Sequence, residues 1–146
     1  MNQGTASPPR RKPNRLWLAA IALLTLGILV VLFLPRPAVR RAPALEISVA
    51  QAAERQEKGS FLLDVREPDE WAVSHLSGST LIPLGELETR VAEVPRDREI
   101  VVVCRSGNRS KAGRDILIAA GYAEVTSMAG GLLAWKAEGH PTVAGP

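Results

Sequence analysis

Cys104 is the only cysteine in the chain, and its neighbours are residues that favour an anion. The segment reads Val103-Cys104-Arg105-Ser106-Gly107-Asn108-Arg109-Ser110. A loop between a strand end and a helix start turns backbone N–H groups inward, and the helix adds its positive end. Gly107 lets the backbone curl there, and Arg105 and Arg109 add fixed charge. The first anion so favoured is the Cys104 thiolate. A free thiol titrates near 8.5, and such surroundings lower that to roughly 3.5–7.5. The second is an oxyanionic or persulfide group on a substrate. No histidine is adjacent to act as a base, so the field of the loop must do that work. This suits sulfur transfer better than peptide hydrolysis. The competing reading is a small apolar cysteine at a strand end, followed by a solvated polar loop.

The loop needs a strand before it and a helix behind it, and the chain offers both. Ile100-Val101-Val102-Val103 is the clearest strand. A helix is expected from about Arg109 to Ala120, with Ala112, Ile116, Ala119 and Ala120 facing inward and Gly121 as its stop. Elsewhere, apolar runs and helical patterns alternate. Short strands are expected at Glu46-Ile47, at Phe61 to Val65, at Leu81-Ile82-Pro83 and at Glu124 to Ser127. Ser48 and Gln51 form a capping box for a helix through about Glu57. Pro68 can open a short helix containing Glu70 and Trp71. Leu84, Leu87, Val91 and Val94 recur at helical spacing, and Gly130-Gly131 leads into a last helix through Ala137. Strands alternating with helices predict an α/β fold with a parallel sheet and helices on both faces. Ligands of such sheets bind beyond the carboxyl ends of the strands, where Cys104 stands.

Charge separates this domain from what precedes it. The chain of 146 residues carries +3 overall. Residues 1–44 hold seven basic residues and no acid, which leaves 11 basic and all 15 acidic residues, a net of −4, for residues 45–146. The basicity is therefore not a nucleic-acid footprint, and the aromatic interleaving of single-strand binders is absent. A single cysteine excludes an intrachain disulfide, a Cys-x-x-Cys redox pair and a zinc site built on several thiolates.

Leu16 to Leu34 is a 19-residue run without charge. At about 1.5 Å per residue it would reach about 28 Å, close to a bilayer core. The run is longer than the apolar part of a cleaved signal peptide. It is therefore read as a single-pass transmembrane helix, between a disordered basic N-terminus at residues 1–15 and a Pro/Arg/Ala linker at residues 35–44. Four basic residues precede the span and three follow it closely. The positive-inside rule then places the domain on the extracytoplasmic side.

Cys104 to Ser110 resembles the active-site loop of single-domain rhodaneses. Three further stretches are similar to that family in order and spacing: Leu63 to Trp71; His75 to Ser79 with Ile82-Pro83-Leu84; and Gly130 to Trp135 with Gly139-His140-Pro141. The resemblance covers residues 46–143. It implies a rhodanese-like five-stranded parallel sheet with helices on both faces. It also implies that Cys104 takes sulfur from a donor such as thiosulfate, holds it as a persulfide and passes it to a thiophilic acceptor. Arg105, Ser106, Gly107, Asn108 and Arg109 would then cradle the persulfide and the anionic group of the donor. Ser74, where the family often has Gly, and Ser79-Thr80-Leu81 depart from its pattern, away from the loop.

The other chemically notable residues read as structural. Asp64 is expected to accept from loop amides, and Arg66 to pair with Glu67 or Glu70. Trp71 and Trp135 are expected in the core. His75 and His140 lack a set of metal partners, so neither metal nor cofactor is expected. Glu86, Glu88 and Glu93 form a solvated helix face.

Three functions fit these residues to different degrees. The first is a membrane-anchored sulfurtransferase with a small sulfur donor and a thiol or cyanide-like acceptor. The second is a low-turnover persulfide- or sulfide-binding module that delivers sulfur to a membrane partner, with a protein as the acceptor. The third is a phosphatase or arsenate reductase. Loops of the tyrosine-phosphatase type carry five residues between Cys and Arg, whereas four separate Cys104 from Arg109.

Overall fold

A computed structural model describes residues 17, 21, 23–26 and 44–145. The chain divides into two units, Met1–Arg40 and Arg41–Pro146. In the first, Trp17, Ile21 and Leu23 to Leu26 are helical with exposed side chains. The rest of the predicted span at 16–34, the predicted disorder at 1–15 and nearly all of the predicted linker lie outside the described residues. Among the described residues no helix is long and apolar enough to cross a membrane.

The second unit holds a five-stranded parallel sheet: β1 (Glu46–Ile47), β2 (Phe61–Asp64), β3 (Thr80–Leu81), β4 (Ile100–Val103) and β5 (Val125–Met128), in the order β1-β5-β4-β2-β3. The helices are α1 (Val49–Glu57), α2 (Pro68–Val73), α3 (Leu84–Arg90), α4 (Asn108–Ala119) and α5 (Gly131–Ala137). The capping box of Ser48 and Gln51 opens α1. Pro68 stands in the first turn of α2, where its missing N–H costs nothing.

β4 sits at the centre, and all four of its residues are buried. Side chains alternate across a strand. Ile100 and Val102 therefore enter one apolar cluster with Leu63, Leu87 of α3 and Leu117 of α4. Val101 and Val103 enter a second cluster with Val49 and Ala52 of α1 and Leu132 and Trp135 of α5. Cys104 continues the alternation onto the first face, beside Val102.

Three expectations need correction. The inner face of α4 is Ser110, Gly113, Arg114 and Leu117, while Ala112 and Ala119 are exposed. Ile116 and Ala120 pack against the first cluster as expected, but Ser, Gly and Arg fill the buried seam beside them, so apolar content alone placed the inner face too far round the helix. Buried Arg114 donates to Leu45 O and Ser127 Oγ, which pins the β1 edge. Trp71 is half-buried rather than core, and it stacks on His75 with centroids 3.7 Å apart. Trp135 is buried as expected.

The third correction concerns Arg66. Its guanidinium pairs with neither Glu67 nor the Glu70 carboxylate. It forks onto Asp64, with Nη2 2.6 Å from Oδ2 and Nε 2.9 Å from both oxygens. The Arg66 amide donates to the same carboxylate, as expected of a strand-end Asp. Nη1 and Nη2 also donate to the carbonyls of Glu70 and Ser74. A buried charge needs a partner and satisfied donors. This ion pair supplies both and ties the end of β2 to α2.

Candidate active site

The chain turns sharply at the carboxyl end of β4. Val103 O still accepts from Val65 N–H, and then the backbone leaves the sheet. Gly107 takes φ +98° as N-cap of α4. That bend brings its N–H to 3.1 Å from Cys104 Sγ, to which it donates. On the other side the thiol donates to Ser110 Oγ at 3.6 Å, and the Ser110 hydroxyl donates to Gly107 O at 2.8 Å. Cys104 is 1% exposed, so its sulfur lies at the floor of the loop. Among the described residues, no acceptor is paired with the N–H groups of Arg105 and Ser106, and both can serve an anion bound above the sulfur.

The loop is held from outside by α5. Leu132 N–H donates to Cys104 O at 2.8 Å, and Leu133 N–H to Arg105 O at 3.0 Å. These are first-turn amides with no partner inside their own helix. So close an approach needs glycine at Gly131, where a Cβ would fall 2.3 Å from Cys104 O.

The expected site residues take different positions. Gly107 is buried against the sulfur, while Arg105, Ser106 and Asn108 are exposed on the loop. Arg109 is half-buried and turned onto α2, where Nη1 and Nη2 donate to Glu70 Oε2 and Oε1 at 2.7 and 2.8 Å. Its charge, expected to be free for the loop, is thus matched by a carboxylate. The hydrogen bond from Arg109 holds the Glu70 carboxyl below its ordinary value of 4.5, and the Glu67 amide adds to this against the opposing effect of burial. The same bond raises the pKa of Arg109. Arg105 has no carboxylate partner among the described residues.

Ser110, Glu70 and the Gly131-Leu132-Leu133 turn were not among the expected site residues. Each stands in a stretch that carries the family resemblance, so a signal existed. Charge and spacing alone did not reveal it. No cluster of His, Cys, Asp and Glu among the described residues could hold a metal. A buried sulfur that accepts an amide N–H, at the start of a 12-residue helix, can carry negative charge and act as a nucleophile toward an anionic donor.

The family model of the Rhodanese-like domain matches residues 48–138. A sulfurtransferase of Allochromatium vinosum is 37% identical over 84 residues, which cover 58% of this chain and 78% of that protein. The thiosulfate sulfurtransferase GlpE of Pseudomonas aeruginosa is 34% identical over 90 residues, 62% of this chain and 82% of that one. Among solved structures, a rhodanese-related protein from Thermoplasma volcanium superposes with a TM-score of 0.64 at 34% identity, covering 68% of this chain and 98% of that one. An E. coli rhodanese solved with anions gives a TM-score of 0.52 at 31% identity, covering 60% and 100%.

Proposed function

The chain belongs to the rhodanese-like domain family and is a rhodanese-type sulfurtransferase; from that premise we propose that it moves sulfane sulfur from a donor such as thiosulfate to a thiophilic acceptor through a persulfide on Cys104. The observation that carries this reading is the contact between Gly107 N–H and Cys104 Sγ at the floor of the loop. The Cys104 thiolate attacks the sulfane sulfur of thiosulfate, the S–S bond of the donor breaks, and sulfite leaves with the electron pair. The terminal sulfur of the persulfide then carries the negative charge, and in this reading the unpaired amides of Arg105 and Ser106 donate to it. Attack on that sulfur by cyanide or a thiol forms the product and returns the Cys104 thiolate. Ser106, Asn108 and the exposed guanidinium of Arg105 form the mouth through which the anionic donor enters.

The test is thiocyanate formation from thiosulfate and cyanide. Wild-type protein turns over and Cys104→Ser does not; activity persisting in Cys104→Ser would sink the reading. Stable sulfur loading with negligible turnover would instead favour a delivery module for a protein acceptor. The uncharged run at residues 16–34 supports attachment to a membrane, with the domain on the extracytoplasmic side. Carbonate extraction of membranes from cells expressing the full chain tests it: the protein stays with the pellet, and release into the supernatant contradicts the anchor.

A further inference from the structure

An open groove of about 330 Å³ adjoins the loop, between α2 and α5. Its wall is coupled to the reacting residue, because the lining residues Leu132 and Leu133 are the two whose amides hold Cys104 O and Arg105 O. Two of its apolar side chains face solvent: Val73 is 74% and Leu133 54% exposed. Its ionic groups do not cancel. Arg66 is matched by Asp64, and Glu70 by Arg109. Arg105 and Lys136 remain, opposed only by Asp69. The Lys136 ammonium donates to Ser74 Oγ at 2.6 Å, and no carboxylate pairs with it among the described residues. A groove with apolar lips and a surplus of one positive charge, ending at the nucleophile's loop, fits a ligand with an alkyl stem and a single negative charge.

Building on the sulfurtransferase reading, we propose that this groove selects the acceptor: a small thiol joined by a short apolar chain to a carboxylate. The alkyl chain lies along Val73, Leu132 and Leu133, and the carboxylate meets Lys136 and Arg105. The acceptor's thiolate attacks the terminal sulfur of the Cys104 persulfide. The Cys104 S–S bond breaks, and the Cys104 thiolate leaves with the electron pair. The acceptor departs as its own persulfide, with the thiol proton given to water. Lys136 is a specificity residue in this scheme, since it touches the ligand's carboxylate and no reacting atom.

The experiment uses the full chain, loaded with sulfur from thiosulfate and checked by intact mass. It is then discharged by mercaptohexanoate or by mercaptohexanol, which match in length and differ in charge. The acid discharges the protein with a KM about fivefold below that of the alcohol, the effect of one exposed charge pair. Added salt narrows the gap. Lys136→Gln closes most of it by raising the KM of the acid. A chain that loads and discharges but treats the two thiols alike, or a gap untouched by Lys136→Gln, overturns the groove proposal alone. A chain that takes up no sulfur overturns the sulfurtransferase reading and the groove's role with it.

Discussion

Glu70 and Arg109 meet as a two-pronged ion pair, with N–O distances of 2.7 and 2.8 Å, that joins α2 to the first turn of the helix behind Cys104. Two N–H donors on two carboxylate oxygens fix orientation as well as distance. The pair positions the loop from behind.

This pair makes stability depend on pH in a stated direction. Because Arg109 lowers the Glu70 pKa from 4.5, the folded state binds that proton less readily than the unfolded chain. The stabilisation is full above about pH 4.5 and is lost as pH falls through the lowered folded value. With about a quarter to a third of each side chain exposed, its size is about 1 kcal/mol or less. Urea melts of wild type and Glu70→Gln should differ at pH 7 and converge once the pH has fallen below that lowered value. A difference that holds constant across that range contradicts the assignment.

Gly131→Ala tests the support from α5. The added Cβ would sit 2.3 Å from Cys104 O and 2.6 Å from the Arg105 carbonyl carbon, at a φ of +56°. Neither neighbour is a flexible side chain, so the loop itself must move. The substitution should cost about 1–3 kcal/mol of stability and lower kcat/KM for thiosulfate at least about tenfold. Wild-type values for both would show that the loop is not held there.

Asp64→Ala strands Arg66, whose side chain is 3% exposed. Leaving a buried charge unpaired costs about 3–5 kcal/mol, a large share of the stability of a domain this size. The midpoint of denaturant unfolding reports it, and a shift below about 1 kcal/mol would contradict a buried pair.

Ser110→Ala removes the hydroxyl that lies 3.6 Å from Cys104 Sγ and caps Gly107 O. Its loss should cost about 1 kcal/mol and, by releasing the Gly107 carbonyl and so loosening the Gly107 N–H against the sulfur, slow sulfur loading about fivefold, measured as the single-turnover rate with thiosulfate. A loading rate equal to wild type removes Ser110 from the site.

The central framework was legible because short-range rules determine it. Ile100 to Val103 reads as a buried strand, Gly107 as a residue free to bend, and the Ser48–Gln51 spacing as a cap. What failed depended on tertiary contacts. Arg109 and Glu70 are 39 positions apart, and each had several conceivable partners. On the inner face of α4, Ile116 and Ala120 were legible, but the buried seam of Ser110, Gly113 and Arg114 was not, because it is not apolar. Arg66 is a different case. Residues i and i+2 of extended chain point the same way, so the pairing with Asp64 could have been read from the spacing.

The most direct test of the account is the intact mass of the full chain after incubation with thiosulfate. The account predicts a gain of one sulfur atom, lost on treatment with cyanide and never acquired by Cys104→Ser. Failure of the wild-type protein to gain sulfur from any sulfane donor, or an equal gain in Cys104→Ser, would contradict it.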